Sequence, residues 1–279
     1  MDGQGLREEI NQSGMSSNNS GKSINNVNEE KKNVQEKITT EDIKNDTYNE
    51  DSFKLYPERR GKKYNPTWFE TAVLGESRRE IDKAKCERNV YSCLEKSPLI
   101  KLMMSALKGS GCEVDISRHI SCEVCDKKVS GGYDPELNQV VVCQNVARSE
   151  WMVQGVLAHE FVHMFDYCRA KLDFRNVDHL ACTEVRAANL MHCSFLSAAV
   201  EGTASPFHIA KAHSDCVKNK AVASVLAVRN VSEQEAKTAV ERVFKRCYND
   251  LEPVGRRLRR NSLDMEKAYR QRFHYGYFD

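Results

Sequence analysis

Apolar residues recur at helical spacing between residues 67 and 107, with an interruption at Pro98, which predicts two helices. The period then shortens to two residues. Residues 112–120 alternate between apolar and polar side chains, and residues 139–144 (QVVVCQ) are rich in β-branched side chains. The intervening GGYDPELN carries Gly, Asp-Pro and Asn, which are typical of turns. The pattern therefore predicts a small antiparallel sheet after the first helices.

Helical spacing returns after the sheet. We expect a helix over residues 149–168, with Ser149 as its N-cap, and a second helix over residues 180–200. Two more are expected at 205–228, which opens with Ser-Pro, and at 232–249, which opens with the capping box SEQE. The order of elements predicts an α+β fold in which helices dominate and a C-terminal helical hairpin closes the domain.

Composition divides the chain into three parts. Residues 1–52 are crowded with Asn, Ser, Lys and Glu, and they hold too few apolar side chains to offset the entropy of ordering. We expect a disordered tail there, a folded domain over 53–255, and a basic extension over 256–279. The arginine run at 256–260 could meet anionic lipid or RNA, although a solvated basic segment is the simpler interpretation. No nucleic-acid partner is expected, because no reading element is recognisable.

Cysteine usage bears on the compartment. The chain has 11 cysteines, all beyond residue 85, a density that indicates disulfides or bound metal. The first residues show neither an apolar signal core nor an Arg-rich transit peptide. The apolar runs are also far shorter than the roughly 20 residues that span a bilayer. We therefore expect an oxidising compartment that is reached without a cleaved presequence, and at least one cysteine unpaired within the chain.

Spacing restricts how the cysteines pair. Cys86 and Cys93 lie on one predicted helix, about 10 Å apart, too far to bond to each other. Cys216 and Cys247 could bridge the C-terminal hairpin. A rival interpretation is a zinc knuckle of a binding module, formed by Cys112, Cys122, Cys125 and Cys143. Only one CxxC pair occurs in that set, so the spacing is imperfect.

The principal motif is His159-Glu160-Phe161-Val162-His163, which matches H-E-x-x-H. On a helix, His159 and His163 project from one face and can bind one Zn²⁺. Glu160 would then lean toward the open coordination position. The alternative is an ordinary amphipathic helix with half-buried histidines.

A catalytic zinc ion needs a third protein ligand. Glu184 lies on the next predicted helix, 21 residues after His163, and a helix fixes a ligand better than a loop does. The rivals in the connecting loop are Asp173, Asp178 and His179. Asp166 could accept the free N–H of a ligating imidazole, or it could be a surface acid at the helix end.

With zinc in place, peptide hydrolysis follows from these residues. The metal would lower the pKa of a bound water and polarise a carbonyl, while Glu160 would pass the proton of the water to the leaving amine. The strand at 139–144 shortly precedes the motif helix. As an edge strand it could pair with an extended substrate, or it could merely close the core.

Five segments occur in order along the chain: GGYDP, VVCQN, HEFVHMFDYCR, HLACTEVRAAN and CYNDLEPVGR. Over residues 65–257 the chain thereby resembles the mitochondrial metalloproteases that mature and help assemble the ATP synthase membrane subunit encoded in mitochondria. The resemblance implies a zincin-like fold, zinc bound by His159 and His163, and Glu160 as the catalytic base. Glu184 as third ligand is inferred from the residues alone.

The resemblance also implies a location and partners. The protein would lie in the intermembrane space, peripheral to the inner membrane, and would act on the subunit precursor. An intermembrane-space relay would oxidise the cysteines during import without a presequence. A non-proteolytic assembly chaperone is the alternative function. The tail, the C-terminal extension and the lack of a cysteine near residues 229–231 depart from the family.

Overall fold

The computed structural model of the protein describes residues 55–59, 68–193, 209–259 and 262–278. The predicted tail at 1–52, the Ser-Pro opening at 205–206 and the predicted helical residues 194–200 lie outside these ranges. The predicted domain boundaries at 52 and 255 stay predictions.

Helices predominate, and the α+β class is confirmed. The α-helices are α1 (Trp68–Lys96), α2 (Pro98–Gly109), α3 (Ile116–His119), α4 (Glu150–Arg169), α5 (Val177–Ala187), α6 (Ile209–Val228), α7 (Glu233–Asn249) and α8 (Asp264–Arg270). A π-helical turn at Ala188–His192 continues α5, and a 3-10 turn at Arg272–Tyr275 follows α8. The strands are β1 (Ile120–Glu123), β2 (Gly131–Asp134) and β3 (Gln139–Cys143).

The sheet is mixed, so the prediction of an antiparallel sheet is wrong. Its strand order is β1-β3-β2, with β1 parallel and β2 antiparallel to β3. Much of the predicted first strand is instead α3. The Asp115 side chain accepts the N–H of Ser117 at 2.9 Å, and the Asp115 N–H donates to His119 Nδ1 at 2.8 Å. These local hydrogen bonds stabilise a helical turn where the alternation of side chains favoured a strand.

Two large buried clusters and a small third one around Val141 hold the described part of the chain together. The main core packs α2 and the sheet against α4, which contributes Phe161 and Phe165, both fully buried. The second cluster joins α5 to the hairpin of α6 and α7, with Val185 and Val225 at its centre. The predicted hairpin is confirmed. Ser232 caps α7 by accepting the N–H of Glu235 at 3.2 Å, whereas Ser149 stands at the N-cap of α4 without a side-chain cap bond.

Disulfides tie these helices and strands together. They join Cys86 to Cys122, Cys112 to Cys168, Cys125 to Cys143, Cys182 to Cys247 and Cys193 to Cys216. The predicted bridge between Cys216 and Cys247 is therefore wrong. Cys247 of α7 bonds to Cys182 of α5, and Cys216 of α6 bonds to Cys193, the residue after the π-helical turn. Both cysteines face α5 and its continuation, because the hairpin packs against α5 in the second cluster. The zinc-knuckle interpretation is also wrong, since all four of its cysteines form disulfides.

The unpaired cysteine is Cys93. All 11 cysteines lie in the described ranges, and Cys93 is the one outside a disulfide. The predictions that one cysteine stays unpaired and that Cys93 does not bond to Cys86 are thereby confirmed. Burial raises the pKa of the Cys93 thiol to about 11, and the nearby Glu150 adds to the shift. The thiol is therefore protonated at neutral pH and a poor nucleophile.

The C-terminal residues contribute to the fold. Ala268 and Tyr277 are buried in the main core. Arg257 donates to Asn189 Oδ1 and to the carbonyl of Tyr248, both at 3.0 Å. At least part of the basic run therefore binds the protein itself. Within the described ranges, no helix has both the length and the apolarity to cross a membrane.

The two glycines before Tyr133 lie in β2 and not in a turn, where GGYDPELN had suggested them. A Cβ on Gly131 would lie 2.2 Å from Val156 Cγ1 of α4 and 2.7 Å from the carbonyl oxygen of Val141. A Cβ on Gly132 would lie 2.3 Å from the hydroxyl oxygen of Tyr56. Glycine is required because α4 and residue 56 press on β2 too closely for any side chain.

Gly131→Ala should lower the free energy of unfolding by about 1–3 kcal/mol, because the new methyl group overpacks the contact between β2 and α4. Gly155→Ala on α4 is the matched control, since a Cβ there meets nothing within 4 Å. The control should be neutral or stabilising by roughly 0.5–1 kcal/mol. Urea unfolding of the two variants would contradict this account if both had the same stability.

Candidate metal centre

The motif residues and Glu184 converge from α4 and α5. The chain leaves α4 at Arg169 and returns in α5, whose start is capped by the Asn176 side chain. His159, His163 and Glu184 each offer a ligand atom, and these atoms lie within 4.8 Å of one another. The structure thus brings together the three residues that the sequence predicts as metal ligands.

The separations fit a tetrahedral metal ion. The Nε2 atoms of His159 and His163 are 3.1 Å apart. The carboxylate oxygens of Glu184 lie 3.5 Å from His163 Nε2 and 3.7 Å from His159 Nε2. Zinc ligands at bond lengths of about 2.0–2.2 Å are about 3.3–3.6 Å apart in a tetrahedral site. Glu184 Oε2 is buried and has no hydrogen-bond partner among the described residues, a cost that a bound cation would remove.

The rivals for the third ligand position are engaged elsewhere, and two of them, Asp178 and His179, lie in the first turn of α5 where a loop was predicted. The main-chain N–H of Asp173 donates to His179 Nδ1 at 3.2 Å. Asp178 forms an ion pair with Arg242, at 2.5 Å between Nη2 and Oδ1. None of the three belongs to the cluster around His159 and His163.

A hydroxyl group orients His163. His163 Nδ1 lies 2.9 Å from the hydroxyl oxygen of Thr183, and that hydroxyl donates to Asp166 Oδ2 at 2.9 Å. Because the single hydroxyl proton goes to the carboxylate, the imidazole must donate its own N–H from Nδ1. Nε2 is left with its lone pair facing the metal position. Asp166 therefore acts on His163 through Thr183 and does not accept the imidazole N–H directly, the first of the two alternatives for this residue. The second, a surface acid, is wrong, because Asp166 is only 3% exposed.

Arg186 holds Asp166 in place. Its side chain is 1% exposed, and Nε donates to Asp166 Oδ2 at 2.9 Å. Nη1 pairs with Asp250 Oδ1 at 2.6 Å, and Arg169 joins the same carboxylates. The segment that contains Asp250 in CYNDLEPVGR is thus linked to the candidate metal site through the buried Arg186.

His192 is a neighbour of the site that the sequence reasoning missed. Its Nε2 lies 2.8 Å from His159 Nδ1, so each histidine of the motif has a partner on its outer nitrogen. The π-helical turn at Ala188–His192 places His192 there. Its position eight residues after Glu184, about two helical turns, was the available signal.

The electrostatics favour a bound cation. Burial lowers the pKa of His159 well below its usual value and that of His163 to about 3, so both imidazoles are neutral, as metal ligands must be. Burial, with the charge of Glu184, raises the pKa of Glu160 well above its usual value. Burial also raises the pKa of Glu184 to about 7. A divalent ion between these groups would offset the cost of burying negative charge.

The site opens into a cleft of about 770 Å³. Glu160 and His159 lie on one wall, with Trp151 of α4, which is 75% exposed, also lining the cleft. All four residues of β2 also line the cleft. Residues 139–144 were proposed as an edge strand that could pair with substrate. That interpretation is wrong, because β3 is the central strand and is paired on both sides. The edge strand beside the cleft is β2.

Two histidines and two glutamates grouped in this way beside an edge strand are an arrangement that metal-dependent hydrolases use. Comparison with known proteins assigns the chain more closely. The profile of the peptidase M76 family matches residues 84–255, and the chain belongs to this family. The resemblance inferred from the five segments is thereby confirmed.

Curated relatives carry consistent names. "Mitochondrial inner membrane protease ATP23 homolog" of Danio rerio is 42% identical over 206 residues, which cover 73% of this chain and 77% of the relative. The protein of the same name from Homo sapiens is 46% identical over 174 residues, covering 62% of this chain and 70% of the relative. "Mitochondrial inner membrane protease ATP23" of Saccharomyces cerevisiae S288c is 35% identical over 63% of this chain and 80% of the relative. No solved structure matches the chain.

Thr183→Val should weaken zinc binding about 10- to 100-fold, because the isosteric side chain leaves the Nδ1–H of His163 without an acceptor. The affinity is measured by competition with a chromophoric chelator. Thr238→Val is the matched control: Thr238 is exposed on α7, its hydroxyl donates to the Gln234 carbonyl of the same helix, and its loss should leave zinc affinity unchanged. Equal affinities of the Thr183 variant and the wild type would contradict an orienting role.

Proposed function

We propose that this member of the M76 family is a zincin-like zinc metalloendopeptidase. His159, His163 and Glu184 would bind the zinc ion, and Glu160 would be the catalytic base. One observation carries the proposal: the ligand atoms of two histidines and a glutamate lie within 4.8 Å of one another, beside Glu160, in the wall of a cleft. Two histidines with one glutamate form an established hydrolytic ligand set.

The residues of the chain divide the chemical work. Bound zinc would supply Lewis acidity toward the attacking water and the scissile carbonyl. His163 is held in its binding tautomer by Thr183, and His159 is held by His192. Glu160 takes the proton of the attacking water on its carboxylate and delivers that proton to the leaving amine.

The outer edge of β2 offers the main-chain groups for an extended peptide. The N–H of Cys143 donates to the carbonyl of Ser130 at 3.0 Å, and Gly132 pairs with Val141 in the same register. Because hydrogen-bonding direction alternates along a strand, Gly131 and Tyr133 point their N–H and C=O groups away from β3. A substrate that adds a strand here would pass along the wall of the cleft that contains the site.

We further propose that the substrate is a precursor of a mitochondrial ATP synthase membrane subunit, cleaved in the intermembrane space at the surface of the inner membrane. The names of the relatives support the membrane assignment. The five disulfides support a compartment in which an oxidising relay acts on the chain. After cleavage the protein would assist assembly of the same subunit.

Glu160→Gln tests the catalytic assignment. The amide has the shape of the carboxylate but cannot accept the proton, so the rate of precursor cleavage should fall about 10²- to 10⁴-fold. Zinc content and melting temperature should stay at the wild-type values. Glu150→Gln, at the exposed start of the same helix, is the matched control and should cleave normally. Cleavage by the Glu160 variant at the wild-type rate would exclude this mechanism.

The same variant separates the two functions. If mitochondria that carry only Glu160→Gln still assemble ATP synthase, the protein has a binding role that is independent of proteolysis. If assembly fails together with cleavage, proteolysis accounts for both effects.

A further inference from the structure

A short segment outside the M76 match is fixed across the sheet. Residues 55–59, here called the strap, precede the matched range of 84–255. The Arg59 side chain, only 11% exposed, contacts all three strands. Its nitrogens lie 2.9 Å from Glu123 Oε1 on β1, 2.7 Å from Asp134 Oδ2 on β2 and 2.6 Å from Gln139 Oε1 on β3. One guanidinium group therefore holds the strap to the whole sheet.

The other end of the strap is also attached. The carbonyl of Leu55 accepts the N–H of Asp126 at 2.8 Å. The carboxylate of Glu58 accepts the N–H of Val124 at 3.0 Å and pairs with Arg79 at 2.7 Å. Tyr56 lies between these attachments, so its position relative to β2 is set by contacts on both sides.

Tyr56 reaches the substrate side of β2. Its hydroxyl donates to the carbonyl of Gly131 at 2.6 Å, and this carbonyl is one of the groups on the outer edge. Tyr56 also lines the same cleft as Glu160. Burial, followed by the charge of Glu160, raises the pKa of the Tyr56 phenol well above its usual value. The phenol therefore stays protonated and remains a hydrogen-bond donor.

We propose that Tyr56 is a specificity-determining residue, which covers the outward carbonyl of Gly131 so that a peptide main chain pairs with β2 at Tyr133 alone. This inference rests on the proposed peptidase function. Gly131 and Tyr133 present outward main-chain groups on β2. Because Tyr56 binds the carbonyl of Gly131, only Tyr133 can form both main-chain hydrogen bonds with a substrate. The cleft is thereby shortened at the Gly131 end, and a long extended peptide gains no more from β2 than a short one.

Attachment of the strap does not by itself require this phenol. Arg59 and Glu58 hold the strap through their own contacts, and a phenylalanine ring at position 56 would still cover Gly132, because Cζ and Cε1 of the Tyr56 ring lie over this glycine. What the tyrosine adds is the length to reach the carbonyl of Gly131 and a hydroxyl to bind it.

The test compares peptides of two lengths. Tyr56→Leu is too short to reach Gly131, whereas Tyr56→Phe keeps the ring over Gly132 and lacks only the hydroxyl. With full-length protein and randomised mixtures of decapeptides and pentapeptides, kcat and KM are measured and the products are identified by mass spectrometry. For decapeptides, KM should fall roughly two- to tenfold, the equivalent of about one hydrogen bond, with little change in kcat. Pentapeptide KM should not change. Tyr56→Phe should lower the decapeptide KM in the same way as Tyr56→Leu, because it lacks the hydroxyl that binds the Gly131 carbonyl.

Other outcomes show whether the specificity role or the peptidase function is wrong. If the wild type cleaves peptides and Tyr56→Leu shifts both lengths equally, or changes kcat alone, the specificity role is wrong while the peptidase function stands. If the wild type cleaves neither mixture, the peptidase function fails and this inference fails with it. Should Tyr56→Leu not fold, Tyr56→Met is measured and interpreted in the same way, since it also fails to bind the Gly131 carbonyl. Tyr91→Leu, on an exposed face of α1, is the control for the loss of a tyrosine.

Discussion

The buried ion pair between Arg186 and Asp166 is the interaction on which the site depends. Removing two charges from water costs several kcal/mol per ion, and the cost is offset only when hydrogen bonds satisfy both groups. Here Asp166 accepts bonds from Arg186 and from the Thr183 hydroxyl, while Arg186 also binds Asp250. The pair therefore fixes α4, α5 and the loop after α7 in one arrangement. In that arrangement His163 has its binding tautomer and Glu184 faces it.

The disulfides hold the elements that this pair joins. Cys112–Cys168 fastens the end of α4, two residues beyond Asp166, and Cys182–Cys247 fastens α5 next to Thr183. Each closes a long loop and should contribute about 2–4 kcal/mol, largely by restricting the unfolded chain. The geometry of the site is thus coupled to oxidation, which accounts for a cysteine-rich chain without invoking a second metal site.

Local patterns predicted much of the fold and the central residues of the site. Helical periodicity located α1, α2, α4 and α7, and the spacing of His159, His163 and Glu184 along two helices was enough to bring them together. What the sequence did not reveal depends on tertiary contacts. The parallel pairing of β1 with β3 and the disulfide partners are set by packing between distant segments, which no local period encodes.

The outer contacts of the site were missed for a related reason. Thr183 has no distinctive sequence context, and its role arises because Asp166 of the ion pair accepts its hydroxyl proton. His192 reaches His159 because a π-helical turn follows α5. The strap lies near a stretch of polar composition, so Arg59 gave no sign of bridging three strands. Residues that act through other residues carry weak sequence signals, because their roles exist only once the chain is folded.

The most direct test of the central claim is a crystal structure of the purified protein with anomalous data collected on both sides of the zinc absorption edge. The account predicts one strong peak about 2.0–2.2 Å from His159 Nε2, His163 Nε2 and a Glu184 oxygen. An absent peak, or a peak bound by other residues such as Asp173 and His179, would contradict it.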